Sequence, residues 1–502
     1  MSLKSNVAAN YASQIYTTLI GIVLVPLYVQ MMGAEAYGLV GFFAMLQAWF
    51  NLLDLGLTPT IARESARYRG GAMSALAYRR LYRSLGLIFA AVAIVGGAAL
   101  LLMADTVARQ WLKASSLPAA DVSAAIRIMA VCVALRWMGG LYRGVVSGSE
   151  RLVWLSGFTA LVATLRFAGV FASMAVWGFT PIVFFWHQLA VAALEAVVLL
   201  VMCQRLLPAV SSLGEAIGWS FKPVQPLLRF SLTIAFTSSV WVLVTQTDKL
   251  ILSGVLPLAE YGTFTLAVLV AGGITIISGP ISTALMPRMA RLHAEGRHDE
   301  VRRLYNLSAQ FISVVAGSLA VTLLVCADSL LFAWSGNAEL STAAAPVLRL
   351  YAVGNGLLAL GAFPYYLQYA RGNLRYHLIG NVVLVVVLVP AICLAALQAG
   401  GVGAGWAWVA MNALYLLFWV GYVHAKLEPG LHGPWLAGNV FAILLPTVGV
   451  GLLLGTWRSG LGGRWLEGGR TVGIAAACLL VATWASPLLR PMVVRALRAR
   501  MA

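Results

Sequence analysis

Arg136 and Arg143 stand seven residues apart in one apolar stretch, and Arg166 lies near the middle of the next. Seven residues make two helical turns, so Arg136 and Arg143 share a helix face. A guanidinium group keeps its charge and grips phosphate oxygens two at a time through a planar fork of N–H donors. A row of them suits an anionic, phosphate-bearing ligand. Asp54, Glu195, Asp248 and Lys249 also fall in apolar stretches, as does His187. A charge at membrane depth costs roughly 2.5–3.5 kcal/mol on insertion scales, so it faces a cavity or a partner. These five residues are the candidates for gating or ion coupling. His187 and Glu195, eight apart, could pass a proton, although a hydrogen-bonded buried histidine is the commoner case. Asp248 and Lys249 point about 100° apart on a helix and cannot share one partner; they form either a rim gate or interfacial pairs with other groups. Structural pairing competes with ligand contact for the arginines, through Arg166 with Glu195 or Arg136 with Asp54.

Two further features carry function. Asp54-Leu55-Gly56-Leu57-Thr58-Pro59 and Ser278-Gly279-Pro280 interrupt two apolar stretches, with Gly56 and Pro280 at matching places in a repeat described below. Gly/Pro breaks at corresponding positions of two halves point to a transporter's moving parts, although membrane helices carry Gly and Pro often. The break residues are therefore Gly56, Pro59, Gly279 and Pro280. Asn355, Tyr365, Tyr366, Gln368, Tyr369, Asn381 and Asn412 could stack on and hydrogen-bond a sugar. Tyr also marks membrane interfaces, so that signal is weak. No Walker A, HExxH, GxSxG or Cys/His metal spacing occurs, so neither an ATPase site, a metal site nor a cofactor is expected.

Membrane helices must position these groups. Of the 502 residues, 61% are hydrophobic and 10% charged, against about 25% charged in soluble domains. The formal charge of +17 comes from Lys and Arg in short links between apolar stretches, which is how a membrane protein sets its orientation rather than a nucleic-acid footprint. The five cysteines lie in or beside apolar stretches without CxxC spacing and read as packing residues.

The chain repeats itself. Tyr37-Gly38 recurs as Tyr261-Gly262, Ala66-Arg67 as Ala290-Arg291, Arg79-Arg80-Leu81-Tyr82 as Arg302-Arg303-Leu304-Tyr305, Arg127 as Arg349, and Gly148 with Arg151 as Gly372 with Arg375, at an offset of about 224. The first half holds apolar spans at 7–30, 37–62, 84–104, 124–146, 154–176 and 181–203, and the second at 230–252, 261–284, 306–327, 345–369, 376–397 and 402–424. Two more follow at 435–457 and 471–489. The expectation is an all-α polytopic membrane protein of about fourteen helices: lobes at 1–228 and 229–428, then a further helix pair and basic tail at 429–502. The N-terminal segment resembles a signal peptide, but its partial recurrence inside the chain argues against cleavage. Six spans per half make the repeats parallel, with a transport cleft expected between them. Arg136 and Arg143 map near Leu360 and Leu367 in the second half. A purely structural role in a shared fold would more easily appear in both.

The stretches NYASQIYTTLIGIVLVPLYVQMMGAEAYGLVGF, LLDLGLTPTIARESAR, TQTDKLILSG, LAEYGTFTLA and LMPRMARLHAEG resemble the polysaccharide-transport (Wzx-type) O-antigen flippases of the multidrug/oligosaccharidyl-lipid/polysaccharide exporter superfamily. The resemblance implies a non-enzymatic flippase in the bacterial inner membrane. It would carry an undecaprenyl-pyrophosphate-linked glycan to the periplasmic leaflet by alternating access between two six-helix lobes. Glycan polymerase and export machinery are the implied further partners. Arg136, Arg166 and Arg143 would then hold the pyrophosphate-sugar head. The rivals are a drug/cation antiporter of the same superfamily, whose site should be lined by carboxylates; a membrane glycan ligase or polymerase, which should show a sizeable periplasmic loop; and a non-transporting scaffold.

Most Lys and Arg lie in links that share one side when the N-terminus is cytoplasmic, including Arg63, Arg67, Arg79, Arg80, Arg288, Arg302 and Arg490. An even number of spans returns the C-terminus to that side. A reporter active only in the periplasm is expected to stay silent when fused after Ala502; an active fusion would overturn the even count.

Overall fold

Without water at membrane depth each backbone N–H and C=O must be satisfied within its own segment, which an apolar run achieves by forming a helix. The computed structural model describes residues 3–213, 215–218, 224–276, 278–456 and 463–501. It is almost wholly helical, and among the described residues the one strand-like feature is an isolated bridge between Lys113 and Pro257. In order the α-helices are α1 (Leu3–Met32), α2 (Ala34–Leu52), α3 (Leu57–Arg69), α4 (Ala75–Thr106), α5 (Ala119–Gly148), α6 (Leu152–Thr164), α7 (Val170–Trp177), α8 (Pro181–Leu206), α9 (Leu228–Val255), α10 (Leu258–Ile276), α11 (Ser278–Ala294), α12 (His298–Ser335), α13 (Ala338–Gly361), α14 (Phe363–Ala370), α15 (Arg375–Leu414), α16 (Val420–Leu427), α17 (His432–Trp435), α18 (Ala442–Thr456), α19 (Arg464–Ala485) and α20 (Leu489–Met501). Short π-helical segments join α6 to α7, α15 to α16 and α17 to α18.

Among the described residues, eleven helical stretches are long and apolar enough to cross a membrane, or up to twelve if the bent pair α2–α3 is one span. Fourteen were expected from the sequence. Two of the expected spans run together in Arg375–Leu427, where Ala399 and Gly400 leave helical geometry. Those 53 residues, at about 1.5 Å each, far exceed a bilayer core of about 30 Å. The expected span 230–252 lies in α9, where several side chains fall outside the described residues.

Contacts divide the chain into two compact units, 1–262 and 263–502. In the first, α5 sits at the centre and packs against α3, α4 and α8. Its glycines Gly140, Gly144 and Gly148 recur every fourth residue and admit α3 at backbone range. A Cβ on Gly140 would lie 2.8 Å from Thr58 Oγ1, one on Gly144 2.9 Å from the Thr58 carbonyl, and one on Gly148 would strike the Ala62 carbonyl. Small residues at such spacing are how membrane helices gain close van der Waals contact. The α9–α10 corner is fastened to this unit by Trp111 Nε1 to Ser253 Oγ (2.9 Å) and the Leu258 amide to the Lys113 carbonyl (2.9 Å). Buried Glu35 holds the loop between α4 and α5 by accepting from the amides of Ser116 (2.8 Å) and Leu117 (3.1 Å). The repeated Tyr-Gly motifs meet here, since a Cβ on Gly262 would sit 3.0 Å from the Gly38 nitrogen.

In the second unit α12 is the spine, packing against α13, α18 and α19. Buried Gln310 on α12 donates to Asn439 (2.9 Å) and accepts from Ser486 (2.6 Å), while Asn439 donates to Asn306 (3.0 Å). The last helix pair is thereby hydrogen-bonded to the core of its unit. One ion pair recurs in both units: Arg127 with Asp105 at 2.8 Å, and Arg349 with Asp328. Its members occupy equivalent places in the two halves of the repeat.

The glycine seam of α5 makes a direct prediction. Gly148→Ala is expected to cost about 1–3 kcal/mol through overpacking against backbone, read as a lower thermal midpoint of the purified protein. Gly157→Ala, where a Cβ meets nothing within 4 Å, is expected to leave the midpoint unchanged or slightly raised.

Candidate functional site

The three arginines lie in the first unit and act electrostatically on one another. Arg136 and Arg143 project from α5 toward α8, and each finds a partner two helical turns apart on that helix. Arg136 Nη2 donates to Gln188 Oε1 at 3.0 Å. Arg143 Nη2 donates to Glu195 Oε1 in an ion pair whose carboxylate side chain is 7% exposed. Because 136 and 188, and 143 and 195, are equally separated, the contacts form two rungs of one ladder, the first closed by an amide and the second by a carboxylate. Arg136 Nη1 also donates to Gln47 Oε1 of α2 at 2.8 Å, and its guanidinium carbon lies 5.2 Å from the centre of the Phe43 ring.

Arg166 lies on a π-helical segment, Leu165–Gly169. A π-turn widens the helix and shifts hydrogen bonding by one residue. Three successive carbonyls of the segment accept side-chain donors: Leu165 from His187 Nε2 (2.9 Å), Arg166 from Gln188 Nε2 (2.9 Å) and Phe167 from the Tyr28 hydroxyl (2.5 Å). The Arg166 guanidinium is placed over the Phe167 ring at 5.4 Å, and no carboxylate among the described residues pairs with it. The Nε atoms of Arg136 and Arg166 are both buried without a hydrogen-bond partner among the described residues.

Neither structural pairing considered for the arginines is the one adopted. Glu195 pairs with Arg143, not Arg166. Asp54 binds Thr58 instead of Arg136, accepting from its hydroxyl at 2.6 Å and its amide at 3.2 Å. Asp54 thus supports the first turn of α3 beyond a break of 56°. At that break Leu55 (φ 46°) and Gly56 (φ 70°) are both left-handed, which for a leucine costs about 1–3 kcal/mol. Ser231 Oγ donates to the strained Leu55 carbonyl at 2.5 Å. Pro59 lies in the first turn of α3, where its missing N–H breaks no helical bond. At the second expected break, residue 277 and the surroundings of Gly279 and Pro280 lie outside the described residues; α10 ends at Ile276 and α11 starts at Ser278.

The other candidates are dispersed. His187 has both ring nitrogens engaged, Nε2 with the Leu165 carbonyl and Nδ1 with Ser173 Oγ at 2.8 Å. A carbonyl only accepts, so Nε2 carries the hydrogen of the neutral ring. Asp248 and Lys249 meet each other at 3.5 Å, and the long lysine stem curls back to the Thr245 carbonyl (2.5 Å). In the second unit the amides considered for sugar binding serve the fold. Asn355 bridges the Ala271 carbonyl and Trp408 Nε1, and Asn412 donates to the Trp408 carbonyl. Gln368 Oε1 accepts from the His377 amide. Leu360 and Leu367, mapped against Arg136 and Arg143, are buried.

A model of the polysaccharide biosynthesis protein family matches residues 3–293. The chain is 20% identical over 378 residues to a Shigella flexneri protein assigned as an O-antigen transporter, covering 74% of this chain and 86% of that one. Among solved structures it is similar to the lipid II flippase MurJ in an inward closed conformation, with a TM-score of 0.72 at 12% identity, over 97% of this chain and 99% of the flippase. It is also similar to an inward-facing multidrug resistance MATE family transporter of the MOP superfamily, with a TM-score of 0.63 at 13% identity, over 82% of this chain and 96% of that one. At these identities the structural likeness establishes the fold.

Gln47 and Gln188 were absent from the sequence candidates. The signal existed: each is a lone amide in a run of large apolar residues, FFAMLQAWF and FFWHQLAV, and a buried amide needs partners. The ladder predicts that Arg143→Gln and Glu195→Gln each destabilise the protein and that the double variant is better tolerated than their sum. A coupling of about 0.5–3 kcal/mol in a denaturation cycle is expected for groups in direct contact; additive effects would refute the pairing.

Proposed function

The chain belongs to the polysaccharide biosynthesis protein family, and from that premise we propose that it is a flippase. It moves an undecaprenyl-pyrophosphate-linked oligosaccharide from the cytoplasmic to the periplasmic leaflet of the bacterial inner membrane by alternating access. The named functions of its relatives, an O-antigen transporter and a lipid II flippase, agree with this reading. The observation that carries it is charge. The cluster of Arg136, Arg143 and Arg166 contains one paired carboxylate, Glu195, among the described residues, so two guanidinium charges are left for a ligand. The pyrophosphate supplies the compensating negative charge, with the arginine forks on its oxygens. The polyprenyl tail stays in lipid, because only the charged head needs a polar path across the hydrocarbon. Differential affinity for the two end states drives the exchange. A drug or cation antiporter fits the cluster poorly, since two unneutralised guanidinium groups repel a cation.

The test is glycan export in a strain lacking its own flippase and complemented by variants. Arg136→Lys keeps the charge but loses the planar fork, and partial export is expected. Arg136→Gln loses both and is expected to export almost nothing at normal protein level. Full export by Arg136→Gln would sink the reading.

A further inference from the structure

A buried arginine in an apolar span needs hydrogen-bond acceptors, and a carboxylate is the usual choice. Arg143 has one. Arg136 instead has two amide oxygens, Gln47 Oε1 at 2.8 Å and Gln188 Oε1 at 3.0 Å, from helices on two sides. An amide oxygen accepts the hydrogen bond and fixes the guanidinium plane but brings no charge. The nitrogen end of Gln188 is used as well, donating to the Arg166 backbone carbonyl at 2.9 Å. That carbonyl lies in the π-helical segment. One glutamine therefore ties the side chain of one cluster arginine to the backbone of another.

We infer that Gln47 and Gln188 are positioning residues that hold Arg136 in a fixed orientation while leaving its charge unneutralised, and that this amide clamp sets the affinity of the site for a pyrophosphate. The inference rests on the flippase reading and adds to it the reason why the site stays cationic. The local comparison is the second rung of the ladder. Arg143 and Glu195 use the same two helices with the same separation, but their charges cancel. Gln188→Glu would convert the first rung into a copy of the second. Gln47→Glu is the cleaner change, because among the described residues the Gln47 amide nitrogen has only a 3.4 Å contact with the Phe43 carbonyl to lose. A merely structural clamp gains from Gln47→Glu, since an ion pair replaces a bond between a charged donor and a neutral acceptor; Gln188→Glu also loses the donor to the Arg166 carbonyl. A charge-preserving clamp loses function through the added charge.

The probe is farnesyl pyrophosphate, titrated onto the full-length purified protein in detergent, with the thermal midpoint measured in parallel. Gln47→Glu is expected to keep or raise the midpoint while weakening binding at least tenfold. Gln47→Met, which removes the hydrogen bond without adding charge, is expected to weaken it only a few-fold. If Gln47→Glu fails to fold, Gln188→Glu decides the matter when read against Gln188→Met, which loses the same bond to the Arg166 carbonyl without adding charge. Wild-type affinity in the glutamate variants, or equal loss in Gln47→Met and Gln47→Glu, overturns the clamp. Arg136→Gln separates the two ideas: if it abolishes binding while Gln47→Glu does not, the flippase site stands and the clamp falls. If Arg136→Gln binds the probe as the wild type does, the site itself falls, and the clamp with it.

Discussion

Burying a guanidinium group in an apolar helix bundle is the constraint on which the first unit is built. Each such charge costs roughly 2.5–3.5 kcal/mol on insertion scales, and the bundle meets that cost three times with different chemistry. Arg143 is neutralised by a carboxylate. Arg136 is hydrogen-bonded by two amides and faces an aromatic ring. Arg166 has an aromatic ring and a buried Nε without a hydrogen-bond partner among the described residues. The sequence is graded from a closed pair to an open charge, which is what a site for a transient anion needs and a structural ion-pair network does not.

The positions of these arginines were legible because a charge interrupts an apolar run and because two turns of helix place Arg136 and Arg143 on one face. The repeat was also legible, and the recurrent ion pairs Arg127–Asp105 and Arg349–Asp328 give it a three-dimensional counterpart. Partner choice was not legible. The sequence suggests Arg166 with Glu195 and Arg136 with Asp54, whereas Glu195 pairs with Arg143 and Asp54 with Thr58, since a list of charges contains no information about how neighbouring helices are rotated. Rotation is set by close contacts such as the glycine seam of α5 against α3, and Asp54 is used locally, by the residue four ahead in the first turn of α3. The π-helical segment at 165–169 could not be read either, because it is stabilised by donors from α1 and α8, far away in sequence.

The two units have spent their buried polar groups differently. The first gathers them around its arginines. In the second, the positions mapped to Arg136 and Arg143 are leucines, and the polar groups attach the additional helices. Tyr305 meets His424 at 2.6 Å, His424 meets His432 at 3.1 Å, and His432 reaches the Leu417 carbonyl. In the neutral chain every hydrogen is assigned: the carbonyl requires the His432 hydrogen on Nε2, so His432 Nδ1 accepts from His424 and His424 Nε2 accepts from Tyr305. With the Gln310–Asn439–Asn306 network it ties α12, α16 and α17 together. The first unit carries the arginine cluster, and the second carries the further helices.

A common backbone device serves both ends. An α-helix commits each carbonyl to an internal bond, so a neighbour's donor must use the second lone pair, whereas a π-turn changes that accounting for a few residues. At Leu165–Gly169 the carbonyls accept from Tyr28, His187 and Gln188, and so orient the residue that carries Arg166. At Leu436–Phe441 the Asn439 carbonyl accepts from Ser313 at 2.6 Å and locks the helix pair onto α12. In both places a local departure from ideal helix creates polar anchorage without adding a charge. That matters in a span where every added charge must be matched: with a carboxylate as anchor, the positive excess of the arginine cluster would disappear.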